Sequence, residues 1–382
     1  MATKVSAPAA PPLPATAAIN KTFACSSCGA KLEFQPGLRA LKCPYCGAET
    51  PIPEADQETQ EDATAYQDYD EMVRVAPEEP ALPIQKVKCP GCHGETEFPP
   101  NVTSDRCSFC GAPAVAQNAY ANRKIPPQAV APFEIKEHDA RERFTGWVKS
   151  LWFAPNALQK VARIDKGLKG YYMPFFTYDS NTYSDYTGER GTVYYETEEV
   201  EVNGKRETRQ VEKVRWHYVS GSVEVDFDDI PIVSTQTLPV QYAEDLEPWG
   251  FEKLVPYSEG YVTGFTTEAY QQGLKPGFAR AQEKMQAPIR SAIERDIGGD
   301  RQRIHSVSTQ YRDNTFRHLL FPIWLAAYKY SGKTYRFLVN GQTGMVKGER
   351  PYSWIKITLA ALAAAALVYF LYRVTHQPPQ QQ

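Results

Sequence analysis

A basic excess is the first thing missing. Lys and Arg number 42 against 45 Asp and Glu, a formal net charge of −3, so no global field draws the chain to nucleic acid or to an anionic surface. Histidine is scarce, six in 382 residues, and His217, His305 and His318 fall in expected strands, where a packed or solvated imidazole is the default. No strand-linked GxGxxG, no HExxH and no GxSxG occurs, which removes the dinucleotide fingerprint, the zinc-protease helix and the nucleophile elbow. Gly332-Lys333-Thr334 ends like a phosphate loop, but Ala327 stands where that loop needs glycine and a strand-like Tyr-Arg-Phe-Leu-Val follows. The acidic group Glu224, Asp226, Asp228 and Asp229 lacks the glycine-centred spacing of a calcium loop and reads as a solvated strand end. Nothing assembles a nucleophile, a base and an oxyanion donor. The chain is therefore expected not to be an enzyme, with no catalytic residue, no organic cofactor and no small-molecule substrate.

A secretory signal is missing too. Pro8, Pro11, Pro12 and Pro14 interrupt any apolar run in the first twenty residues, and only Lys4 is basic. Residues 1–20, rich in Ala and Pro, read as a disordered arm.

Cysteine, by contrast, is present in a pattern. Cys25-Ser-Ser-Cys28 is followed after fourteen residues by Cys43-Pro-Tyr-Cys46, and Cys89-Pro-Gly-Cys92 after fourteen more by Cys107-Ser-Phe-Cys110. Each cysteine of the second set lies 64 positions after its counterpart, and Phe34/Phe98 and Pro36/Pro100 repeat in register, so the unit is duplicated. Two cysteines separated by two residues can present both thiolates on one side of a tight turn, ~2.3 Å from one ion, and two such knuckles complete a tetrahedral S4 shell that favours Zn²⁺. Gly29, Gly47 and Gly111 follow second cysteines, where positive φ is often required. His93 stands there in the remaining knuckle and reads as a tolerated turn residue rather than a ligand. Disulfides would need an oxidising compartment, which neither signal nor topology supplies. Two structural zinc ions are thus expected, one on Cys25, Cys28, Cys43 and Cys46 and one on Cys89, Cys92, Cys107 and Cys110. With four protein ligands each, the sites are closed to substrate. A unit of this size buries too little to fold without its metal.

Between the ribbons the charge is one-sided. Glu54, Asp56, Glu58, Glu61, Asp62, Asp68, Asp70, Glu71, Glu78 and Glu79 face only Arg74, which predicts a flexible anionic linker that repels phosphates. Lys86, Lys88 and Arg106 of the second ribbon are matched by Glu95, Glu97 and Asp105, so nucleic acid is not an expected partner and proteins are.

From about residue 119 the chain turns aromatic and strand-like. His138–Phe153 carries Phe144, Trp147, Val148 and Leu151 at helical spacing. Thr192–Val202 and Lys205–Arg215 flank Asn203-Gly204, a strong hairpin signal, in a register that sets Glu201 opposite Arg206 and Glu198 opposite Arg209. Phe278–Ile297 predicts the longest soluble helix, stopped by Gly298-Gly299. Leu319–Tyr330 and Lys333–Val339 pair around Ser331-Gly332, and Asn340–Gly344 turns into Met345–Lys347.

Charge is absent once more from Ile357 to Tyr372. Ile355–Val374 would make about 30 Å of helix, one hydrocarbon thickness. Lys356 and Arg373 stand at its ends, and Trp354, Tyr369 and Tyr372 where an aromatic belt falls. A buried helix of a soluble domain is the alternative, but such a helix rarely stays apolar on every face for four turns. Lys347, Arg350 and Lys356 before the span outnumber Arg373 after it, which places the body in the cytoplasm. The expected order is a disordered arm (1–20), zinc ribbon 1 (21–50), an acidic linker (51–84), zinc ribbon 2 (85–116), a β-rich central domain with one or two packed helices (119–350), a transmembrane helix (354–374) and a polar tail (375–382). The fold class is α+β, with both ribbons small and all-β.

The paired ribbons, Trp152-Phe-Ala-Pro-Asn156, Gly170-Tyr-Tyr-Met-Pro-Phe-Phe176, Phe321-Pro-Ile-Trp324 and Val339-Asn-Gly-Gln-Thr-Gly344 before a terminal span resemble a family of bacterial double zinc-ribbon membrane proteins. Its members often carry the label primosomal protein N′-like or superfamily II helicase-like. The resemblance covers about Cys25 to Tyr372 and implies a bacterial inner-membrane protein, in some genomes encoded beside phage-shock-type and flotillin-like membrane-stress proteins. The Asn340–Gly344 turn also looks like the hairpin of PepSY-type domains. The nucleotide motifs and basic track that a helicase needs are missing. The reading expected overall is a membrane-anchored adaptor that recruits cytoplasmic or membrane-associated proteins through its ribbons, the alternative being a replication-associated nucleic-acid binder.

Overall fold

In the computed structural model, residues 23–76, 85–88, 95–98, 101–106, 113–115, 125–156, 158, 168–202, 205–235 and 240–375 are described. The described residues open on a three-stranded meander, β1 (Glu33–Phe34), β2 (Ala40–Lys42) and β3 (Glu49–Pro51). The acidic stretch then forms two helices, α1 (Gln57–Thr64) and α2 (Tyr69–Val75), on either side of β4 (Gln67–Asp68). Local chemistry accounts for both. The carboxylates of Asp56 and Asp68 accept from the N–H groups of Thr59 and Glu71 as N-caps, and acidic first turns meet the positive helix ends.

Next come β5 (Gln85–Lys88) paired with β6 (Glu95–Phe98), and β7 (Val102–Arg106) paired with β8 (Pro113–Val115). The rest of the body is β9 (Ala129–Val130), α3 (Glu137–Ser150), β10 (Lys169–Val202), β11 (Lys205–Val233), α4 (Val240–Glu244), β12 (Val255–Pro256), α5 (Glu259–Val262), β13 (Thr266–Glu268), α6 (Leu274–Ile297), β14 (Arg301–Tyr330), β15 (Lys333–Asn340) and β16 (Val346–Gly348), before α7 (Trp354–Thr375). A mixed sheet runs β12-β9-β14-β10-β13-β7-β8, with β11 on β10, and β4 and β15 on β14. The class is α+β, as expected.

Strands β10, β11 and β14 set the proportions. At 34 residues and ~3.3 Å per residue, β10 spans roughly 100 Å. It pairs with β14 from Lys169↔Leu325 to Gly191↔Arg301, and with β11 from Phe175↔Val233 to Val202↔Lys205, so a two-stranded ribbon continues where β14 stops. The expected register holds, with Glu198 opposite Arg209 and Glu201 opposite Arg206. The charge contact differs: Lys213 reaches Glu196 at 2.5 Å and Glu198 at 2.7 Å. The turn Asn203-Gly204 lies outside the described residues. Helix α6 lies on the buried face of the part where β10, β11 and β14 run together, with Phe278, Met285, Ile289, Ile293 and Ile297 inward against Tyr178, Tyr186, Phe227 and Phe316. Gly298, at φ 64°, ends it.

The acidic stretch corrects one expectation. Composition predicts a flexible tether over 51–84, yet residues 57–75 are docked on the body. Tyr69 is buried against Phe278 and Tyr178, with centroids 4.5 and 6.2 Å away, and β4 pairs with Thr315 and Phe316. The aromatic ring of a short amphipathic helix outweighs the charge around it, because the carboxylates stay at the surface.

Candidate metal centre

In the first ribbon, Cys25 and Cys43 are buried while Cys28 and Cys46 are exposed. Each knuckle is the same tight turn. Cys25 N donates to Ala30 O at 2.6 Å and Gly29 N to Cys25 O at 2.8 Å; Cys43 N donates to Ala48 O at 2.8 Å and Gly47 N to Cys43 O at 3.0 Å. Gly29 and Gly47 take φ of 72° and 74°, the left-handed conformation for which the sequence placed glycine there.

The knuckles meet across the meander. Cys25 Sγ lies 3.5 Å from Cys46 Sγ and Cys28 Sγ 3.5 Å from Cys43 Sγ, and all four sulfurs fall within 4.8 Å of one another. A sulfur–sulfur bond needs ~2.05 Å, so these are four thiols. A tetrahedral ion at ~2.3 Å from each sulfur requires edges of about 3.8 Å, close to the two 3.5 Å separations and inside the 4.8 Å that encloses all four. The Cys25 thiol is held down to about 6, first by the backbone N–H of Ser27, against the opposing pull of burial and with help from the N–H of Cys28. Cys43 is lowered in the same way by the amides of Cys46 and Tyr45. The N–H of Ala30 draws Cys28 down, but the thiols of Cys43 and Cys46, with burial, push it up to about 12. Amides aimed at the inner sulfurs suit a thiolate cage around a cation. Cys25, Cys28, Cys43 and Cys46 together could hold one metal ion, and their soft donors fit Zn²⁺.

The cage is seated rather than suspended. Leu32, Phe34, Leu41 and Ile52 share an apolar cluster with Phe133, Tyr261, Phe265 and Trp324 of the body. Phe34 N donates to Thr263 O at 3.1 Å and Gly37 N to Phe133 O at 2.8 Å. Glu33 takes both guanidinium nitrogens of Arg106, at 2.8 and 2.9 Å, and Lys31 Nζ reaches Pro113 O at 3.0 Å, so the first ribbon is tied to β7 and β8 of the second unit. The second set, Cys89, Cys92, Cys107 and Cys110, lies outside the described residues, as does His93. Val87, Phe98, Val102 and Ala114, from the strands that flank that set in sequence, form a small apolar cluster.

The acidic group rearranges on folding. Asp228 and Asp229 come together with Asp179, which sequence reasoning missed because it lies about 50 residues away, while Glu224 and Asp226 face Tyr183 and Asn181 along the ladder. Asp179 accepts from Asp229 N at 2.6 Å and from the Thr315 hydroxyl at 2.5 Å. Burial nevertheless raises its pKa. Asp229 is ion-paired with the buried guanidinium of Arg317, which also donates to Thr64 O and lies 4.4 Å from the Tyr66 ring centre. At Asp229 this is a clamp that holds α1 and β4 to the sheet, while Glu224, Asp226 and Asp228 are exposed, as a solvated strand end has them. Replacing Arg317 by Met leaves the largely buried Asp229 without its partner and is expected to destabilise the body by ~2–4 kcal/mol, below the full cost of breaking a buried pair. Arg317→Met/Asp229→Asn, which removes the stranded charge with a side chain that tolerates the φ of 53° at this position, should recover part of it, as read from urea midpoints of the two variants.

His318 is packed, its Nδ1 2.9 Å from Ile125 O, as the default reading had it. Two shallow depressions, of about 300 Å³ beside Arg143 and Thr343 and about 380 Å³ beside Tyr66 and Asp226, open directly to solvent.

The chain is 28% identical over 242 residues to "Uncharacterized protein YdjG" of Bacillus subtilis (strain 168), a match that covers 61% of this chain and 66%, just under two thirds, of that protein. No family model matches the chain. No solved structure matches it.

Proposed function

We propose that this chain is a membrane-anchored zinc-ribbon scaffold that holds cytoplasmic or membrane-associated proteins at the bacterial inner membrane. The observation that carries the reading is the pairing of a four-thiol cage, closed by its own ligands, with a terminal helix, α7, that is long and apolar enough to cross a membrane and has none of its span buried against the body. A closed cage has no open coordination position for a substrate, so its contribution is shape. Tyr45, between the second pair of cysteines, is 81% exposed and presents a ring at the tip of the ribbon, the kind of anchor protein interfaces use. A role in membrane stress rests on the family resemblance alone. Two Zn²⁺, one per ribbon, belong to this proposal; the second rests on the matched spacing of Cys89, Cys92, Cys107 and Cys110.

Capture from detergent-solubilised membranes with the full chain tests it. A specific partner should be retained by the wild type and lost from Tyr45→Ser, which keeps every metal ligand, or from Cys107→Ser. Capture profiles identical for the wild type and both variants would sink the scaffold reading.

A further inference from the structure

Trp152 is 78% exposed, and Phe153 beside it is exposed as well. Loops that display such rings are usually loose, but this one is held from both sides. Its first support is α3, which ends two residues earlier; Phe144 of that helix stacks on Phe337 of β15 with centroids 3.8 Å apart, and Leu151 and Ala154 are buried. The second is the mouth of α7. Ser353 N donates to Phe153 O at 2.7 Å. Lys356 Nζ donates to Trp152 O at 3.0 Å and to Ala154 O at 2.8 Å.

Lys356 is the third residue of α7. A lysine there, at the end of an apolar helix, sends its ammonium to the level of the lipid headgroups. Here that ammonium is bound to the carbonyls on either side of Phe153, so the loop occupies the level where the ammonium ends. Trp354, 79% exposed, Ile355 and Tyr352 are exposed at the same place. Single exposed apolar side chains need no explanation, whereas a convergence of this size marks a contact surface. Cations border it: Lys149 in the last turn of α3, and Arg350, whose guanidinium lies over the Tyr352 ring at 5.3 Å. Indole and phenyl rings rimmed by Lys and Arg match the boundary between phosphate headgroups and acyl chains.

We propose that the Trp152–Phe153 loop is a second membrane contact, inserted in the headgroup layer of the leaflet from which α7 emerges. The proposal rests on the reading of α7 as the anchor and goes beyond it. A single helix lets the body swivel, whereas a helix plus a wedge a few residues from its base fixes which face of the body meets the lipid. The ribbon, joined to the same core, is then held at a set orientation over the bilayer. The occupant is phospholipid rather than protein because the patch is continuous with the span and carries cations where phosphates lie.

The test uses the full chain in phosphatidylcholine/phosphatidylglycerol vesicles, with and without bromine-labelled acyl chains, which quench only indoles in contact with lipid. Trp152→Phe and Trp354→Phe should each remove a comparable share of the lipid-quenched emission. The loop contact is overturned if Trp152→Phe leaves that share unchanged and instead removes emission quenched by aqueous iodide, in chains that float with the vesicles and lose quenching on Trp354→Phe; the ring then faces water or a protein. Chains that do not float overturn the anchor, and the loop contact with it.

Discussion

Cys43→Ser should lower the zinc content of the purified chain by one equivalent and release residues 23–52 from the body. The strands of that segment are two and three residues long, and its private core is little more than Leu32, Phe34, Leu41 and Ile52. Hydrophobic burial on that scale does not offset the ordering of some thirty residues. A structural zinc contributes an apparent ~10–16 kcal/mol at neutral pH, far above any other single interaction in the segment. Serine in place of a buried thiolate removes a ligand and also breaks the N–H···S pattern from Cys46 and Tyr45. Because Phe34 packs on Tyr261 and Phe265, at 5.4 and 6.3 Å, the damage should reach the body's edge without dissolving the β10–β14 ladder. The measurements are metal analysis by mass spectrometry and limited proteolysis. Cleavage should appear within residues 23–56 while 168–350 stays protected, and Tyr45→Ser should show neither change. An unaltered zinc content in Cys43→Ser would remove Cys43 from the ligand set.

The gathering of Cys25, Cys28, Cys43 and Cys46 was legible because covalent spacing favours it: two residues between cysteines permit few geometries, and a glycine after each second cysteine completes the turn. The hairpin register was legible for a similar reason, since Asn203-Gly204 and the facing charges fix one pairing out of many. What could not be read depends on distant partners. The acidic stretch looks like a tether until Arg317 and Phe278, more than two hundred residues on, supply the pairing and the apolar surface that dock Thr64, Tyr66 and Tyr69. The outer end of β10, Thr192–Val202, was legible from its hairpin, but the full extent of β10 and β14 was hidden because 181–191 and 301–313 carry many polar side chains on an exposed face, and the shared ladder makes them strands. The junction between Lys356 and the 152–154 carbonyls leaves no local trace at all, with 202 and 204 positions between donor and acceptors.

A chain ending at Ser353 should move from the membrane pellet to the supernatant after alkaline carbonate extraction, with the unfolding midpoint of its body unchanged. The two halves of that outcome separate a span from a core helix. The apolar stretch of α7 is not buried against the body, so removing it uncovers little beyond the Trp152 and Ala154 carbonyls that Lys356 Nζ binds. A core helix of the same length would take the fold down with it. The full-length chain with Ala364→Arg and Leu367→Arg gives the same contrast by point change. Each arginine at the middle of a span costs ~2.5–3.5 kcal/mol on an insertion scale, about 5–7 kcal/mol for the pair, against leucines that contribute only ~0.3–0.6 kcal/mol each. Membrane retention should be lost while the urea midpoint holds. If the midpoint instead collapses in both variants, α7 is packed within an assembly of folded protein and the bilayer plays no part in holding it. Orientation follows in the same preparation: with Lys347, Arg350 and Lys356 on the near side and Arg373 on the far side, protease added to inside-out vesicles should digest the body, and protease added to right-side-out vesicles should leave it whole.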